Sequence, residues 1–231
     1  MITELSRFSA IAFDADDTLW HNERFFQLSQ SRFVDMLSDY ADPKNLEDRL
    51  MAAELRNMGH YGFGVKGFTL SMIETAIDVT DGAVHASVIK ELLKIGQDML
   101  QHPMELLEGA HLAVATLSQS VPLYVITKGD LLHQERKLAQ SNLGDYFTGV
   151  EIVSDKTPAV YQSILDKIGC APDEFLMIGN SVKSDILPVL DIGGWACFVP
   201  FEISWQYEVT QIPTTHPRFK QITSLLDLLK S

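Results

Sequence analysis

The chain reads as an α/β protein, a doubly wound parallel sheet interrupted early by an all-helical insertion. Five short apolar runs, residues 8–13, 121–127, 150–154, 175–179 and 195–200, each end at polar or glycine residues. Strands buried on both faces have that pattern. Helical periodicity separates the last four runs. The stretch 20–108, between the first run and the second, holds no convincing strand and at least four helical patterns. The division expected is a core of 1–19 and 109–231 with residues 20–108 inserted.

The first run delivers the chain into Asp14-Ala15-Asp16-Asp17-Thr18. Three carboxylates crowded at a strand end repel one another. Such a cluster is normally held by a cation or used in acid–base chemistry. The carboxyl ends of parallel strands are also where open α/β sheets bind ligands.

Within the insertion, Phe26, Phe33 and Leu37 share one helical face, and Leu46, Leu50 and Ala53 a second. Leu70, Ile73 and Ile77 form a third stripe, and Val88, Leu92, Ile95 and Met99 a fourth. A helical bundle inserted directly after an acidic strand end is placed to act as a lid. Its loop His60-Tyr61-Gly62-Phe63-Gly64-Val65-Lys66-Gly67 offers Tyr61, Phe63 and Lys66 as candidate substrate contacts. The same aromatics would equally pack on the bundle.

Beyond the second run, Asp130 is placed to cap a helix reaching about Asn142. After Pro158, Val160, Ile164 and Ile168 recur every four residues, and Gly169 ends that helix.

Composition narrows the function. With 18 basic residues against 31 acidic and a formal charge of −13, the chain repels nucleic-acid polymers. A small phosphorylated substrate stays compatible, because a local lysine and a metal can outweigh the global field. Cys170 and Cys197 have no metal-like spacing and read as reduced thiols. The N-terminal residues lack the order of a signal peptide, and no apolar stretch approaches a membrane span. A cytoplasmic protein is expected, of no particular oligomeric state.

If the sheet is parallel, four groups converge on one edge. They are Asp14 and Asp16, then Thr127 with Lys128, then Lys156, then Asn180 with Asp185. Phosphoryl transfer needs this set: an in-line nucleophile, neutralisation of the equatorial oxygens and a protonated leaving group. Asp14 can be nucleophile and metal ligand together. Asp16, two residues along an extended chain, points the same way and can serve as general acid and base. Magnesium takes oxygen ligands and keeps several waters, so two or three protein oxygens suffice.

These motifs resemble those of the haloacid dehalogenase superfamily. Asp14-Ala15-Asp16-Asp17-Thr18 is similar to its first motif, Thr127 to the second, Lys156 before Pro158 to the third, and 179–185 to the fourth. The insertion looks like the family's helical C1 cap, and the core would be Rossmann-like. The resemblance implies that Asp14 is phosphorylated and then hydrolysed, with Asp16 as acid/base. It implies that Thr127, the Lys128 amide and the Lys156 ammonium hold the phosphate. Mg2+ would be held by Asp14, the Asp16 carbonyl, Asn180 and Asp185.

Asp17 stands where the family has glycine; strand alternation points it away from the chemistry, as a bystander. Asn180 replaces a commoner aspartate, which should weaken magnesium affinity. A phosphatase is the favoured expectation, because a dehalogenase has no leaving group to protonate and no use for Asp16. A phosphomutase shares the Asp pair. A phospho-acceptor or silent binding module is the reading from another class, and the helical insertion makes the chain too long for a receiver domain.

Overall fold

A computed structural model describes residues 5–203, 205–208 and 210–230. Among them lie six strands: β1 (Ala10–Phe13), β2 (Leu123–Lys128), β3 (Gly149–Val153), β4 (Phe175–Gly179), β5 (Trp195–Phe198) and β6 (Phe219–Gln221). They form one sheet in the order β3-β2-β1-β4-β5-β6, and every pairing is parallel. The chain steps outward from β1 to β3, then returns to place β4 on the other flank of β1. That reversal makes the carboxyl ends of β1, β2 and β4 the switch point where doubly wound sheets bind ligands.

Strand alternation builds two cores. Ile11 and Phe13 face an apolar cluster with Ala113, Val114, Leu225 and Leu228, which includes helix α5 (Ala110–Leu117). Ala10 and Ala12 face the opposite cluster with Tyr161, Ile164, Leu165 and Val189, which includes α7 (Pro158–Ile168) and α8 (Leu187–Asp191). Burial on both faces is why these strands read as unbroken apolar runs.

Two compact units divide the chain. One comprises Met1–Glu23, Met104–Lys128 and Gln134–Ser231; the other comprises Arg24–Pro103 with Gly129–His133. The second contains helices α1 (Glu23–Leu37), α2 (Pro43–Tyr61), α3 (Val65–Val79) and α4 (Ala86–Gln101), with α6 (Leu131–Ser141) beginning in its second segment. α2 starts at a well-formed cap: Asp42 accepts the Asn45 N–H at 3.1 Å, and Pro43 occupies the first turn.

Three of the four amphipathic faces are buried as the spacing indicates, in a cluster of Phe33, Leu37, Leu46, Leu50, Leu92, Ile95 and Met99. The third is corrected. Leu70 and Ile77 are exposed, and α3 instead buries Val65, Phe68, Met72 and Ala76. Both faces of α3 carry apolar residues, so periodicity alone offered two stripes. Neighbouring helices pack on the one whose small residues let them approach. Strand β6 has no counterpart among the apolar runs, since only Phe219 is buried and Lys220 and Gln221 are exposed. Pairing with β5 makes it a strand.

The α3 correction has a direct check in denaturant unfolding. Met72→Ala should destabilise by about 2–5 kcal/mol, whereas Leu70→Ala should cost under about 1 kcal/mol. The reverse order would restore the original stripe.

Candidate active site

Strand β1 ends by pairing with β4, the Asp14 N–H reaching the Ile178 carbonyl at 2.8 Å. The chain then turns tightly, and the Ala15 carbonyl accepts the Leu19 N–H at 2.8 Å. Asp17 occupies the left-handed region of this turn, at φ 61°. That conformation is natural for glycine and tolerated by aspartate. It accounts for a residue other than glycine at this place in the motif.

The Asp17 side chain points away from Asp14 as expected of a bystander to the chemistry, but it is buried. It accepts the N–H groups of Asn22 and Glu23, both at 2.9 Å, at the entry to α1. Burial pushes its carboxyl up to about 7, even with these donors pulling it down. Asp17 is thus a structural residue that ties the turn to the first helix.

Asp14 is 7% exposed and lies against Lys156, which is 4% exposed. Lys156 Nζ sits 2.5 Å from Asp14 Oδ1 and 2.6 Å from Asp185 Oδ1. Asp185 is further fixed by the Ser181 N–H, 3.0 Å from its Oδ2. Its close approach to the end of β4 explains Gly179: a Cβ there would meet Asp185 Oδ2 at 2.2 Å. Asp185 is carried by a π-helical turn, Val182–Ile186, a geometry frequent at functional sites.

One ammonium between two buried carboxylates leaves a surplus negative charge. Burial works against the Lys156 cation, but the two anions outweigh it and hold the amine protonated well above its ordinary range. Burial lifts the Asp14 carboxyl, Lys156 pulls it back and Asp185 lifts it again, to about 7. Lys156 is the ammonium throughout, because two anions face it, and the surplus rests on the carboxylates.

The other Asp14 oxygen faces a cluster of oxygens. Thr18 Oγ1 donates to Asp14 Oδ2 at 3.2 Å. The outer amide atom of Asn180 lies 3.2 Å from Asp14 Oδ2, Thr18 Oγ1 and the Asp16 carbonyl oxygen. These neighbours are acceptors, so the amide nitrogen faces them and donates. Turned over, the same amide presents an oxygen. Asp14, the Asp16 carbonyl and Asn180 then form an all-oxygen set of the kind a hard cation takes, with places left for water. Among the described residues no three His, Cys, Asp or Glu side chains form a metal cluster. This set draws on a main-chain carbonyl and an amide instead. The residues fit Mg2+.

Asp16 is moored on three sides. Its Oδ1 accepts from Trp20 Nε1 and from Lys137 Nζ, both at 2.6 Å, and its Oδ2 from Gln134 Nε2 at 3.2 Å. Gln134 also reaches Thr127 Oγ1 at 2.7 Å. Thr127 is thereby linked through Gln134 to the Asp16 carboxylate. Lys128 directs its ammonium to Ser184 Oγ at 2.8 Å and Glu208 Oε1 at 2.7 Å. Glu208 also accepts from Ser181 Oγ, and from Ser184 Oγ at 2.6 Å. Burial raises the Glu208 carboxyl, but Lys128 and the two hydroxyls outweigh that and hold it below its ordinary value.

All seven core residues singled out from sequence therefore lie in the α/β unit and share one hydrogen-bonded neighbourhood. Trp20, Gln134, Lys137 and Glu208 were not found from sequence. Gln134 and Lys137 left only a weak trace, two polar residues spaced three apart so as to share one face of α6. Glu208 left none.

Tyr61, Phe63 and Lys66 belong to the helical unit. Tyr61 is exposed. Lys66 Nζ is paired with Asp130 Oδ1 at 3.1 Å, and its N–H reaches Asp130 Oδ2 at 3.4 Å. Asp130 thus serves the first turn of α3. Gly64, at φ 124°, allows that approach, since a Cβ would stand 2.9 Å from the carboxylate. Cys170 and Cys197 are free and buried. Among the described residues no helix is long and apolar enough to cross a membrane.

A Rossmann-like sheet with an acidic pair after β1, a hydroxyl after β2, a lysine after β3 and an Asn/Asp turn after β4 defines a class of hydrolases. A family model described as haloacid dehalogenase-like hydrolase matches residues 8–193. The chain belongs to that family, as a phosphatase-like member. It is 24% identical over 238 residues to N-acylneuraminate-9-phosphatase of Mus musculus, across 98% of this chain and 96% of the relative. It is 24% identical over 209 residues to glyceraldehyde 3-phosphate phosphatase of Methanothermobacter thermautotrophicus, across 84% and 87%. A haloacid dehalogenase-like family hydrolase from Xanthomonas campestris superposes with a TM-score of 0.87 at 38% identity, covering 96% of this chain and 89% of that one.

The role of Asp17 can be separated into its two parts. Asp17→Gly keeps the left-handed turn and loses the two N–H bonds, costing about 0.5–2 kcal/mol. Asp17→Ala loses the bonds and adds the left-handed penalty of about 1–2 kcal/mol. Unfolding midpoints should rank wild type above Gly above Ala; Ala equal to Gly would count against the turn argument.

Proposed function

We propose that the protein is a magnesium-dependent phosphomonoester hydrolase of a small phosphorylated metabolite, working through an aspartyl-phosphate on Asp14. The observation that carries this reading is the second carboxylate. Asp16 stands two residues beyond Asp14 and is held in place by Trp20, Lys137 and Gln134. Displacement of a halide has no use for such a group, whereas an alkoxide leaving group must be protonated.

In the first step the Asp14 carboxylate attacks phosphorus while the bond from phosphorus to the leaving oxygen breaks. Asp16 gives its proton to that oxygen. Lys156, Thr127 and the Lys128 amide take the phosphate oxygens, neutralising charge where the transition state spreads it. In the second step water attacks phosphorus, Asp16 accepts its proton, and the bond to Asp14 breaks. Phosphate leaves and both aspartates are restored. Asp14, the Asp16 carbonyl, Asn180 and Asp185 would hold Mg2+, which would offset the surplus negative charge and screen Asp14 from the incoming dianion.

The names of the curated relatives support phosphate ester hydrolysis and a small phosphorylated substrate. The buried, free thiols support a reducing compartment, and we place the protein in the cytoplasm.

Release of inorganic phosphate tests the reading. Activity on an aryl phosphate should require magnesium and vanish with chelator. Asp14→Asn should abolish it. Asp16→Asn should lower kcat/KM, which reports formation of the aspartyl-phosphate, by about 10²–10⁴-fold for alkyl phosphates and less for activated aryl phosphates. Full activity of Asp14→Asn, or a loss of kcat/KM in Asp16→Asn that is uniform across leaving groups, would refute the assignment.

A further inference from the structure

Lys137 is 8% exposed and Gln134 is 3% exposed. Lysine is seldom buried unless it is paired. Here its Nζ meets Asp16 Oδ1 at 2.6 Å and Asn22 Oδ1 at 3.1 Å. Asn22 is itself held through its N–H by Asp17. Gln134, one turn earlier on α6, spans from Asp16 Oδ2 to Thr127 Oγ1. A continuous chain of bonds therefore runs from the hydroxyl after β2, through the Asp16 carboxylate, to the turn that follows β1.

We propose that Lys137 and Gln134 are positioning residues that fix the plane of the Asp16 carboxylate for its task as general base toward water. This rests on the phosphatase reading above. Oδ1 already takes two strong donors, Trp20 and Lys137, so Oδ2 is the oxygen left to face water. Gln134 sets where Oδ2 points. It also makes that position depend on Thr127, a phosphate-binding group. Removing Lys137 has two opposed effects. The carboxylate becomes a somewhat better base, and it loses its orientation. A displacement of about 1 Å can cost on the order of 10²-fold, so orientation decides the sign.

The kinetic signature differs from that of a merely structural lysine. An activated aryl phosphate needs little protonation of its leaving group, so formation of the aspartyl-phosphate stays fast. Its hydrolysis, which needs the base, slows. With p-nitrophenyl phosphate and magnesium, Lys137→Met should lower kcat by about 10–100-fold and KM by a similar factor. kcat/KM should stay within about threefold of wild type, and one equivalent of nitrophenol should appear in a burst. Lys137→Arg, which keeps the cation and its donors, should recover most of kcat. Gln134→Leu should show the same pattern more weakly.

A matched fall of kcat and kcat/KM without a burst would overturn the proposal, as would unchanged kinetics in Lys137→Met and Gln134→Leu. Should Lys137→Met fail to fold by circular dichroism, the Gln134→Leu burst decides alone. A wild-type protein that releases no phosphate from any ester would overturn the phosphatase reading itself, a result distinct from failure of the positioning pair.

Discussion

One buried lysine shared by two carboxylates governs the site. Lys156 lies between Asp14 and Asp185, 2.5 and 2.6 Å from their oxygens. Breaking a buried pair by removing one partner commonly costs several kcal/mol, because an uncompensated charge stays behind. The fold is arranged to make this contact. Parallel pairing of β1 with β4 sets Phe13 beside Ile178, so Asp14 and the turn after Gly179 emerge next to each other. Gly179 leaves room for Asp185 to fold back. The loop after β3 brings the ammonium to both. The remaining negative surplus makes an oxygen-ligated cation favourable, and it explains why burial and Asp185 together hold the Asp14 carboxyl far above the ordinary aspartate value.

A second set of contacts distinguishes the two carboxylates proposed to carry the chemistry. Asp14 faces Lys156 and the Thr18–Asn180 cluster, where its charge is shared with groups suited to phosphate and metal. Asp16 faces the indole of Trp20, the Lys137 ammonium and the Gln134 amide, all donors that orient it. Asp17, third in the cluster, accepts the N–H groups of Asn22 and Glu23 at the entry to α1. Three adjacent acids thus do three different things, because each is bonded to different elements.

Much of this was legible in the sequence because parallel strands buried on both faces leave continuous apolar runs, and β4 was bounded at both ends as it stands. The residues after each run were legible for the same reason, since topology sends all strand ends to one edge. What was not legible depends on tertiary contacts. β6 has one buried residue, and its partner strand makes it a strand. The buried face of α3 was chosen by its neighbours between two apolar stripes. Lys137 and Glu208 are ordinary charged residues in sequence; each gains meaning only from the charge it meets across a long chain separation. The structural role of Asp17 was not legible, because alternation along a strand says nothing of a turn that has already left it.

The proposed phosphoryl transfer depends above all on a covalent role for Asp14. Acid quench of the protein during steady turnover of an aryl phosphate with magnesium, followed by peptide mapping by mass spectrometry, tests it directly. A phosphoryl group on the peptide carrying Asp14, lost on further incubation and absent from Asp14→Asn, is the predicted result. Sustained turnover with no label on that peptide, or label on another residue, would contradict it.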